Sequence, residues 1–449
     1  MSENFDFVII GAGPGGHAAA EEASKRGARV AIVEKDKWGG TCAHLGCIPT
    51  KALLACSKRY AELGKLKRLG TFINETAFDF SAMKRHQAQM VRVAAMGVQK
   101  SLDDAGVKRL EGEGKIISPS EVEVLPAKGE KCRLNTGKIL IACGSEPASI
   151  PGAAISSRVM NSNGFLLLDK LPSSVIVVGG GAIGLEFGNF LAELGVRVTL
   201  FELLDQILPY EDKEAADALS LELKKTGMEI YTSTGMSSLE ETADGVFFVG
   251  QKGHEEITVH GECALICTGR KPLINRDELD RLGIAWNPKG IIVDDRQQTT
   301  VENIFALGDV TGGVLLAHRA TAQGKALANY LFGDGDFFYN KRVVPSVVYT
   351  HPGFSRVGLT EKAALEQGLE VEIRKAEYGA NLLARAELRG NGFVKILLSS
   401  GRLRGATIVG DEAGELIAAM SLAVAGGRAI RDLRQWILPH PTLSELLKF

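Results

Sequence analysis

Short apolar runs alternate with segments of helical periodicity along most of this chain, a pattern that predicts an α/β protein. Residues 7–10 and 175–178 are apolar runs of the kind that form short buried strands. Each run enters a glycine-rich turn, and a helix and a second apolar strand follow, at residues 29–33 and 196–201. The same order of strand, turn, helix and strand therefore occurs twice.

Both copies carry the same chemistry-bearing residues at the same spacing. The first places Gly11, Gly13 and Gly16 before Glu34, and the second places Gly179, Gly181 and Gly184 before Glu202. Such glycines let a pyrophosphate approach a helix N-terminus, and the acid accepts a hydrogen bond from a ribose 2′-hydroxyl. One glycine motif is weak evidence, but two copies with the acid in register predict two dinucleotide-binding sites.

The acid of the second copy also predicts which nicotinamide cofactor binds. Glu202 would repel a 2′-phosphate, and the residues directly after it include no arginine that could pair with one. We therefore expect NAD rather than NADP. A solvated glutamate at the end of an ordinary strand is the alternative.

A cysteine pair follows the first copy. A disulfide needs Cα atoms about 4.4–6.8 Å apart, whereas five residues span roughly 17 Å when extended and rise about 7.5 Å along a helix. We expect the segment between Cys42 and Cys47 to bend at Gly46, which can take backbone angles that other residues avoid. Pro49 suits the first turn of a following helix, whose N-terminus would favour a Cys47 thiolate.

The setting of this pair predicts its function. Two unrelated reduced cysteines are the alternative, but the glycines, the proline and Lys51 around the pair disfavour it. Beside a dinucleotide turn, a redox-active pair is best explained by a bound flavin. With the second turn, the sequence predicts FAD, a nicotinamide and a dithiol acting in series.

Length and composition exclude several other classes of function. The 449 residues, 45% of them hydrophobic and 24% charged, suggest about three domains. A net charge of −2 gives no reason to expect nucleic acid or a membrane as partner. No apolar run approaches a membrane span, and the acidic N-terminus does not resemble a signal peptide. Seven cysteines without a dense framework suggest a reducing compartment, so we expect a cytoplasmic protein.

Changes of pattern along the chain divide it into four segments. We expect an FAD-binding domain, an NAD-binding domain, a central part that returns to the FAD domain, and a C-terminal α+β interface domain, at residues 1–145, 146–270, 271–340 and 341–449. The fold class is therefore α/β, with two Rossmann-like domains and a third domain for dimerisation.

Over essentially its whole length the chain resembles the flavin disulfide reductases, also called class I pyridine nucleotide-disulfide oxidoreductases, and most closely the dihydrolipoamide dehydrogenases. Residues 40–51 are similar to the redox segment of that family, and residues 308–309 to the turn that holds the FAD ribityl chain. Residues 316–320 and 440–445 are similar to the flavin-side stretch and the C-terminal signature of the lipoamide branch. Four positions depart from the usual pattern: His44, Cys143, Gly353 and Leu438.

The resemblance implies catalytic roles. Cys42 would be the outer thiol that meets the substrate, and Cys47 the thiol next to the flavin. His440 would move protons on and off thiols, because its ordinary pKa lies near working pH, and Glu445 would orient it. Lys51 and Glu186 would pair beside the flavin, a solvated helix face being the alternative.

It also implies further cofactor contacts, and we expect no metal site. These contacts would come from Thr41, Gly114, Gly144, Ser145, Gly269, Arg270, Gly308, Asp309, Leu316, Ala317 and His318.

The expected function is oxidation of free or protein-bound dihydrolipoamide with NAD⁺. The expected assembly is a homodimer that takes His440 from the partner subunit, with the apolar helix at residues 413–420 in need of a partner. Two alternatives stay open: an NAD(P)H-dependent reductase of another small disulfide or a metal substrate, and a flavin-binding subunit without turnover.

Overall fold

The computed structural model describes residues 3–335 and 338–449. The chain forms two compact units, each assembled from separate stretches of sequence. The first unit comprises the described residues of Met1–Thr50, Arg85–Ala148 and Arg270–Tyr339. The second comprises Lys51–Lys84, Ser149–Gly269 and Asn340–Phe449.

A mixed sheet forms the centre of the first unit. Its strands lie in the order Lys108–Glu111, Val30–Glu34, Glu3–Ile10, Cys132–Ile141, Glu121–Leu125 and Glu113–Ser118, and Ile304–Ala306 also pairs with Cys132–Ile141. The central strands are parallel, with Ile9 opposite Ile32 on one side and Leu140 on the other. Because these side chains are fully buried, the strand reads as a continuous apolar run.

Helices pack on this sheet and fix the positions of its turns. They are Pro14–Lys25, Gly40–His44, Arg276–Leu282 and Ala317–Phe332, with parts of Cys47–Leu66 and Phe80–Asp104. The helices Pro14–Lys25 and Ala317–Phe332 contact each other closely, since a Cβ on Gly324 would lie 2.4 Å from the Gly15 carbonyl oxygen. Smaller strand pairs are Ser145–Pro147 with Arg270–Pro272, and Trp286–Asn287 with Gly290–Ile291.

A parallel sheet forms the first layer of the second unit. Its strands lie in the order Glu229–Tyr231, Arg197–Phe201, Ser174–Val178, Cys263–Ile266 and Val159–Asn161. The helices beside it are Ser162–Phe165, Ala182–Glu193 and Lys213–Lys225. An antiparallel sheet of Gly235–Glu241, Val246–Lys252 and Glu255–Gly261 is inserted in the sequence between the strands Glu229–Tyr231 and Cys263–Ile266.

An antiparallel sheet follows in the C-terminal part of the same unit. Its strands lie in the order Ser346–Val348, Gly353–Gly358, Arg402–Gly410, Phe393–Ser399 and Glu372–Glu377. Helices Glu361–Glu366, Leu382–Ala386, Ala413–Ala425 and Ile430–Arg434 accompany it. One apolar cluster that includes Leu191, Phe354 and Val409 joins this sheet to the helix Ala182–Glu193.

The predicted fold class is confirmed: two strand–turn–helix–strand units and a C-terminal α+β region are present. One local expectation is wrong. The helix Ala413–Ala425 packs Leu416, Ile417 and Met420 into its own unit, so these side chains need no partner chain.

Across residues 3–335 and 338–449, no helix has the length and apolar content that crossing a bilayer requires.

Candidate active site

The first glycine turn leaves no room for side chains at two of its positions. Gly11 has φ +106°, and a Cβ there would lie 2.5 Å from the carbonyl oxygen of Ala142. A Cβ on Gly16 would lie 1.9 Å from the carbonyl oxygen of Gly11, so this glycine lets the helix start directly against the turn. Gly13, the N-cap residue, faces open space, with nothing within 4 Å of its Cβ position.

The beginning of the helix Pro14–Lys25 suits an anion. Its cap residue has no side chain, and so no side-chain hydrogen bond caps this end. The first backbone N–H groups of a helix have no partner within the helix, and its dipole favours negative charge there. The open cradle at Gly13 therefore fits a pyrophosphate.

Glu34 is fixed at the end of the next strand. Its Oε2 accepts a hydrogen bond from the N–H of Ala12 at 2.7 Å, and its Oε1 accepts one from the N–H of Asp36 at 2.9 Å. The carboxylate is thereby bound to the turn itself. Its remaining lone pairs can accept from the ribose hydroxyl that the sequence predicts.

The second glycine turn repeats this geometry. Gly179 has φ +112°, and a Cβ there would lie 2.5 Å from the Cys267 carbonyl oxygen. A Cβ on Gly184 would lie 2.1 Å from the carbonyl oxygen of Gly179. Gly181 is the open N-cap residue of the helix Ala182–Glu193. The residues thus fit two dinucleotides, one in each unit.

Glu202 occupies the position that corresponds to Glu34. It is buried, and its two oxygens accept hydrogen bonds from the N–H groups of Gly180 at 2.7 Å and Leu204 at 2.8 Å. The exposed side chains that follow it are apolar or acidic, at Leu203, Leu204 and Asp205. The local charge is therefore unfavourable for a 2′-phosphate.

The cysteine segment is bent between two helices. Cys42 lies in the short helix Gly40–His44, and Cys47 is the first residue of the helix Cys47–Leu66. Pro49 lies in the first turn of that helix, as predicted. Because the positive end of a helix dipole stabilises a thiolate, this position suits Cys47 as the thiol that stays ionised.

The reason predicted for Gly46 is wrong. Its backbone does not have the positive φ of Gly39 and Gly40, at +96° and +58°. A Cβ on Gly46 would instead lie 3.0 Å from the carbonyl oxygen of Thr41 and 3.5 Å from the Cα of Cys42. The glycine allows the chain to fold back against the first cysteine.

A hydrogen-bonded chain lies at the end of the first unit's sheet. The hydroxyl of Ser145 donates to Asp309 at 2.5 Å and accepts from Nε of Arg270 at 2.8 Å. Burial lowers the pKa of Arg270, while the negative charges of Asp309 and Cys47 oppose that shift. A cation therefore lies where it acts electrostatically on both the predicted ribityl-binding acid and the inner cysteine.

The other predicted cofactor contacts are placed on several elements. Gly114 lies on an edge strand against Ile10, Gly144 and Gly269 have positive φ, and Gly308 donates its N–H to Gln323 at 3.0 Å. Thr41 is exposed in the short cysteine helix. Leu316 caps the helix Ala317–Phe332, and His318 is exposed in its first turn.

The structure brings Lys51 and Glu186 together. The Lys51 Nζ lies 2.7 Å from Oε2 of Glu186, a carboxylate that is 5% exposed. Oε1 of the same carboxylate accepts the N–H of Tyr349 at 3.1 Å, and the Lys51 ammonium lies 4.6 Å from the centre of the Tyr349 ring. The sequence prediction missed Tyr349, since its contact depends on tertiary packing and no motif marks it.

His440 and Glu445 also meet. The Nδ1 of His440 donates to Oε1 of Glu445 at 2.9 Å, and Oε2 accepts the N–H of Thr442 at 3.0 Å. These two hydrogen bonds, that of Thr442 first, hold the pKa of Glu445 below its usual range. The charged carboxylate fixes Nδ1 as the donor, which leaves Nε2 of the exposed imidazole able to take a proton.

The departures from the family pattern have different local settings. His44 donates from Nε2 to the carbonyl oxygen of Trp38 at 3.0 Å. Gly353 has space for a side chain, since the nearest atom to its Cβ position is 3.4 Å away. Leu438 is half-exposed, and Cys143 is exposed.

Comparison with known families identifies the class of protein. Residues 5–324 match the pyridine nucleotide-disulphide oxidoreductase family, and residues 344–448 match the dimerisation domain of that family. The chain belongs to this family. It is a flavoprotein disulfide oxidoreductase with FAD and NAD as cofactors, so the alternative of a subunit without enzymatic activity is set aside.

Curated relatives include dihydrolipoyl dehydrogenases. That of Geobacillus stearothermophilus is 34% identical over 445 residues, which cover 98% of this chain and 94% of the relative. The mitochondrial enzyme of Pisum sativum is 34% identical over 456 residues, which cover 100% of this chain and 91% of the relative. The resemblance recognised in the sequence is confirmed.

Solved structures of similar fold include two bacterial proteins. LpdA from Mycobacterium tuberculosis matches with a TM-score of 0.91 at 27% identity, covering 99% of this chain and 98% of its own. The HOCl-induced flavoprotein disulfide reductase RclA from Escherichia coli, solved as a Cu(II) complex, matches with a TM-score of 0.88 at 28% identity. It covers 100% of this chain and 98% of its own.

We predict that Glu202→Ala weakens the preference for NADH over NADPH. Loss of the carboxylate removes both the ribose acceptor and the charge that repels a 2′-phosphate. The ratio of kcat/KM values for the two cofactors should fall by about 10-fold or more, the scale of one hydrogen bond to a charged group. Steady-state kinetics with each cofactor measure this ratio.

The matched control is Asp205→Ala, which removes an exposed acid three residues further on. It should leave the ratio near that of the parent enzyme. An unchanged ratio in Glu202→Ala would show that this carboxylate does not select the cofactor.

Proposed function

We propose that this enzyme oxidises dihydrolipoamide, free or attached to a protein, with NAD⁺ as acceptor. The observation that carries the proposal is the His440–Glu445 hydrogen bond of 2.9 Å, which gives the C-terminal signature a working acid–base geometry. Dihydrolipoyl dehydrogenases at about a third identity over nearly the whole chain support the same substrate.

The dithiol chemistry is assigned to Cys42 and Cys47. In the oxidised enzyme these two sulfurs form a disulfide, and a substrate thiolate attacks Sγ of Cys42 and releases Cys47 as a thiolate. The second substrate thiolate then attacks the substrate sulfur bound to Cys42, so that lipoamide leaves as a disulfide. The enzyme is left with two reduced cysteines, and two electrons have passed from substrate to enzyme.

His440 handles the protons of this exchange. A thiol is a poor nucleophile until it is deprotonated, and Nε2 of His440 takes that proton. The Glu445 carboxylate stabilises the imidazolium through Nδ1. On the return of the enzyme to its oxidised form, the same nitrogen releases the proton.

When bound, the two cofactors would supply the chemistry that passes an electron pair from the dithiol to the nicotinamide, with FAD as the intermediate carrier. The residues that would hold them are the two glycine turns with Glu34 and Glu202, the Ser145–Asp309–Arg270 chain, and the main-chain contacts predicted at Gly114, Gly144 and Leu316–His318. The Lys51 ammonium would stabilise negative charge on a reduced flavin ring, and Glu186 would hold that ammonium in place.

We further propose a homodimer in which each site takes its His440 from the partner subunit. Cys42 and Cys47 belong to the first unit and His440 to the second, within the stretch that matches the dimerisation domain. The division of the chain into four segments, with an interface domain at residues 341–449, remains a prediction that belongs to this proposal. A reducing cytoplasm would suit the dithiol.

A second candidate is reduction of another small disulfide or of a metal ion by NADH. It is favoured by the fold similarity to RclA, whose structure was solved as a Cu(II) complex. In this reaction the reduced cysteines would give up their electrons to the acceptor.

We predict that the purified enzyme reduces NAD⁺ with free dihydrolipoamide, and that His440→Gln lowers this turnover at least ~100-fold, the low end for loss of a general acid or base. Absorbance of NADH at saturating substrate gives kcat, and the flavin spectrum should be retained in the variant. Normal activity in His440→Gln would contradict the acid–base role. Turnover with Cu(II) or small disulfides but not with dihydrolipoamide would instead favour the second candidate.

We also predict that two inactive variants complement each other. Cys42→Ser and His440→Gln chains, co-expressed with different tags, should form mixed dimers in which one of the two sites contains an intact cysteine pair and an intact histidine. Tandem purification followed by the dihydrolipoamide assay should recover about half of the activity of the parent dimer. Verified mixed dimers without activity would rule out sharing, and a monomer in sedimentation would rule out the dimer.

A further inference from the structure

Three buried polar side chains lie on one face of the helix Ala182–Glu193. Glu186 is 5% exposed, Asn189 is fully buried, and the side chain of Glu193 is 3% exposed. Spacings of three and four residues put them on the same face of a helix. Burial of polar groups is unfavourable unless they are hydrogen-bonded. The side-chain oxygens on this face therefore need hydrogen-bond donors from neighbouring elements.

The segment of residues 349–351 supplies a donor at each of the three positions. The N–H of Tyr349 donates to Glu186 at 3.1 Å, and the N–H of His351 donates to Oδ1 of Asn189 at 2.7 Å. The imidazole Nδ1 of His351 donates to Oε1 of Glu193 at 2.7 Å. The segment is therefore held along the helix at three consecutive points.

The helix that begins at Cys47 supplies the second donor to each carboxylate. Lys51 donates to Oε2 of Glu186 at 2.7 Å, and the hydroxyl of Ser57 donates to Oε2 of Glu193 at 2.5 Å. Each carboxylate thus connects the same two elements. Glu193 repeats, two turns further along its helix, what Glu186 does at the proposed flavin-side pair.

We propose that His351 and Glu193 are positioning residues for the Lys51–Glu186 pair. Their hydrogen bond fixes the segment that carries Tyr349, whose N–H occupies one oxygen of Glu186 and whose ring lies against the Lys51 ammonium. Without this anchor, Oε1 of Glu186 loses its donor and the ammonium can move to bridge both oxygens. This inference rests on the proposed role of Lys51 beside the flavin.

The consequence is a change in the redox equilibrium of the flavin. An ammonium held at a fixed distance stabilises negative charge on the reduced ring, and this effect weakens when the ammonium is displaced. Loss of the anchor should therefore favour the oxidised flavin. A contact that only contributes to folding stability would leave the equilibrium unchanged.

The test uses the FAD-loaded enzyme in anaerobic equilibrium with a redox indicator dye. His351→Ala should shift the equilibrium toward oxidised flavin by about 10-fold, the scale of one hydrogen bond to a charged group. His351→Asn keeps a donor near the place of Nδ1 and should restore most of the parent value. If His351→Ala does not fold, Glu193→Gln removes the charge at the other end of the bond and should shift the equilibrium in the same direction.

The matched control is Glu211→Gln, which weakens hydrogen bonds to Arg356 and Ser346 in the same unit, whereas none of the hydrogen bonds described above for residues 349–351 or for Glu186, Asn189 and Glu193 involves Glu211. It should lower thermal stability and leave the dye equilibrium unchanged. An unshifted equilibrium in both His351→Ala and Glu193→Gln, with lowered melting temperatures, would show that the contact is only structural.

Lys51→Met separates failure of this inference from failure of the proposed function beneath it. A shift in Lys51→Met but not in His351→Ala overturns the positioning role alone. No shift in either variant overturns the flavin-side role of Lys51 and the inference with it.

Discussion

Both nucleotide sites depend on one constraint. In each, the first turn of a helix lies directly against the carbonyl group of the first glycine of the preceding turn. At Gly16 and Gly184 a single added carbon would lie about 2 Å from that carbonyl oxygen. The contact presents an uncapped helix end to the space beside Gly13 and Gly181. Because the same constraint acts in each unit, one chain offers a site for each of two dinucleotides.

Hydrogen bonds in the first unit hold a cation where it acts on two predicted site residues. Ser145 connects Arg270 with Asp309, and the same cation acts on Cys47 at the start of its helix. A guanidinium and a helix N-terminus both favour a thiolate over a thiol at the inner cysteine. The charge of Arg270 and the start of the helix Cys47–Leu66 thus both act on the cysteine that we propose to lie next to the flavin.

Contacts set by local spacing could be predicted from the sequence. The two glycine turns follow from backbone geometry within a few residues, and His440 and Glu445 are close enough along the chain for one turn to bring them together. Lys51 and Glu186 were predicted only through family resemblance, and their contact depends on packing between distant segments. The roles assigned to these residues remain predictions.

Contacts set by tertiary packing could not be predicted. Tyr349 bonds to Glu186 and His351 to Glu193 because a strand end lies along a helix far away in sequence, and no local spacing signals this. The sequence predicted that the chain bends at Gly46 but not why a glycine is needed there. The reason is close approach to Cys42, which depends on how the helices on either side fold back. The apolar face of Ala413–Ala425 could be interpreted as a dimer contact or a core helix, and the fold decides for the core.

We propose that electrons pass between the nicotinamide site and the Cys42–Cys47 pair. Alkylation of the cysteines with and without NADH tests this transfer directly. The FAD-loaded enzyme is treated anaerobically with iodoacetamide, and peptides are mapped by mass spectrometry, with half-buried Cys132 as internal reference. We expect NADH to make Cys42 reactive, Cys47 to stay protected, and neither cysteine to react without NADH. Equal labelling of Cys42 with and without NADH, or labelling of Cys47 first, would contradict the proposal.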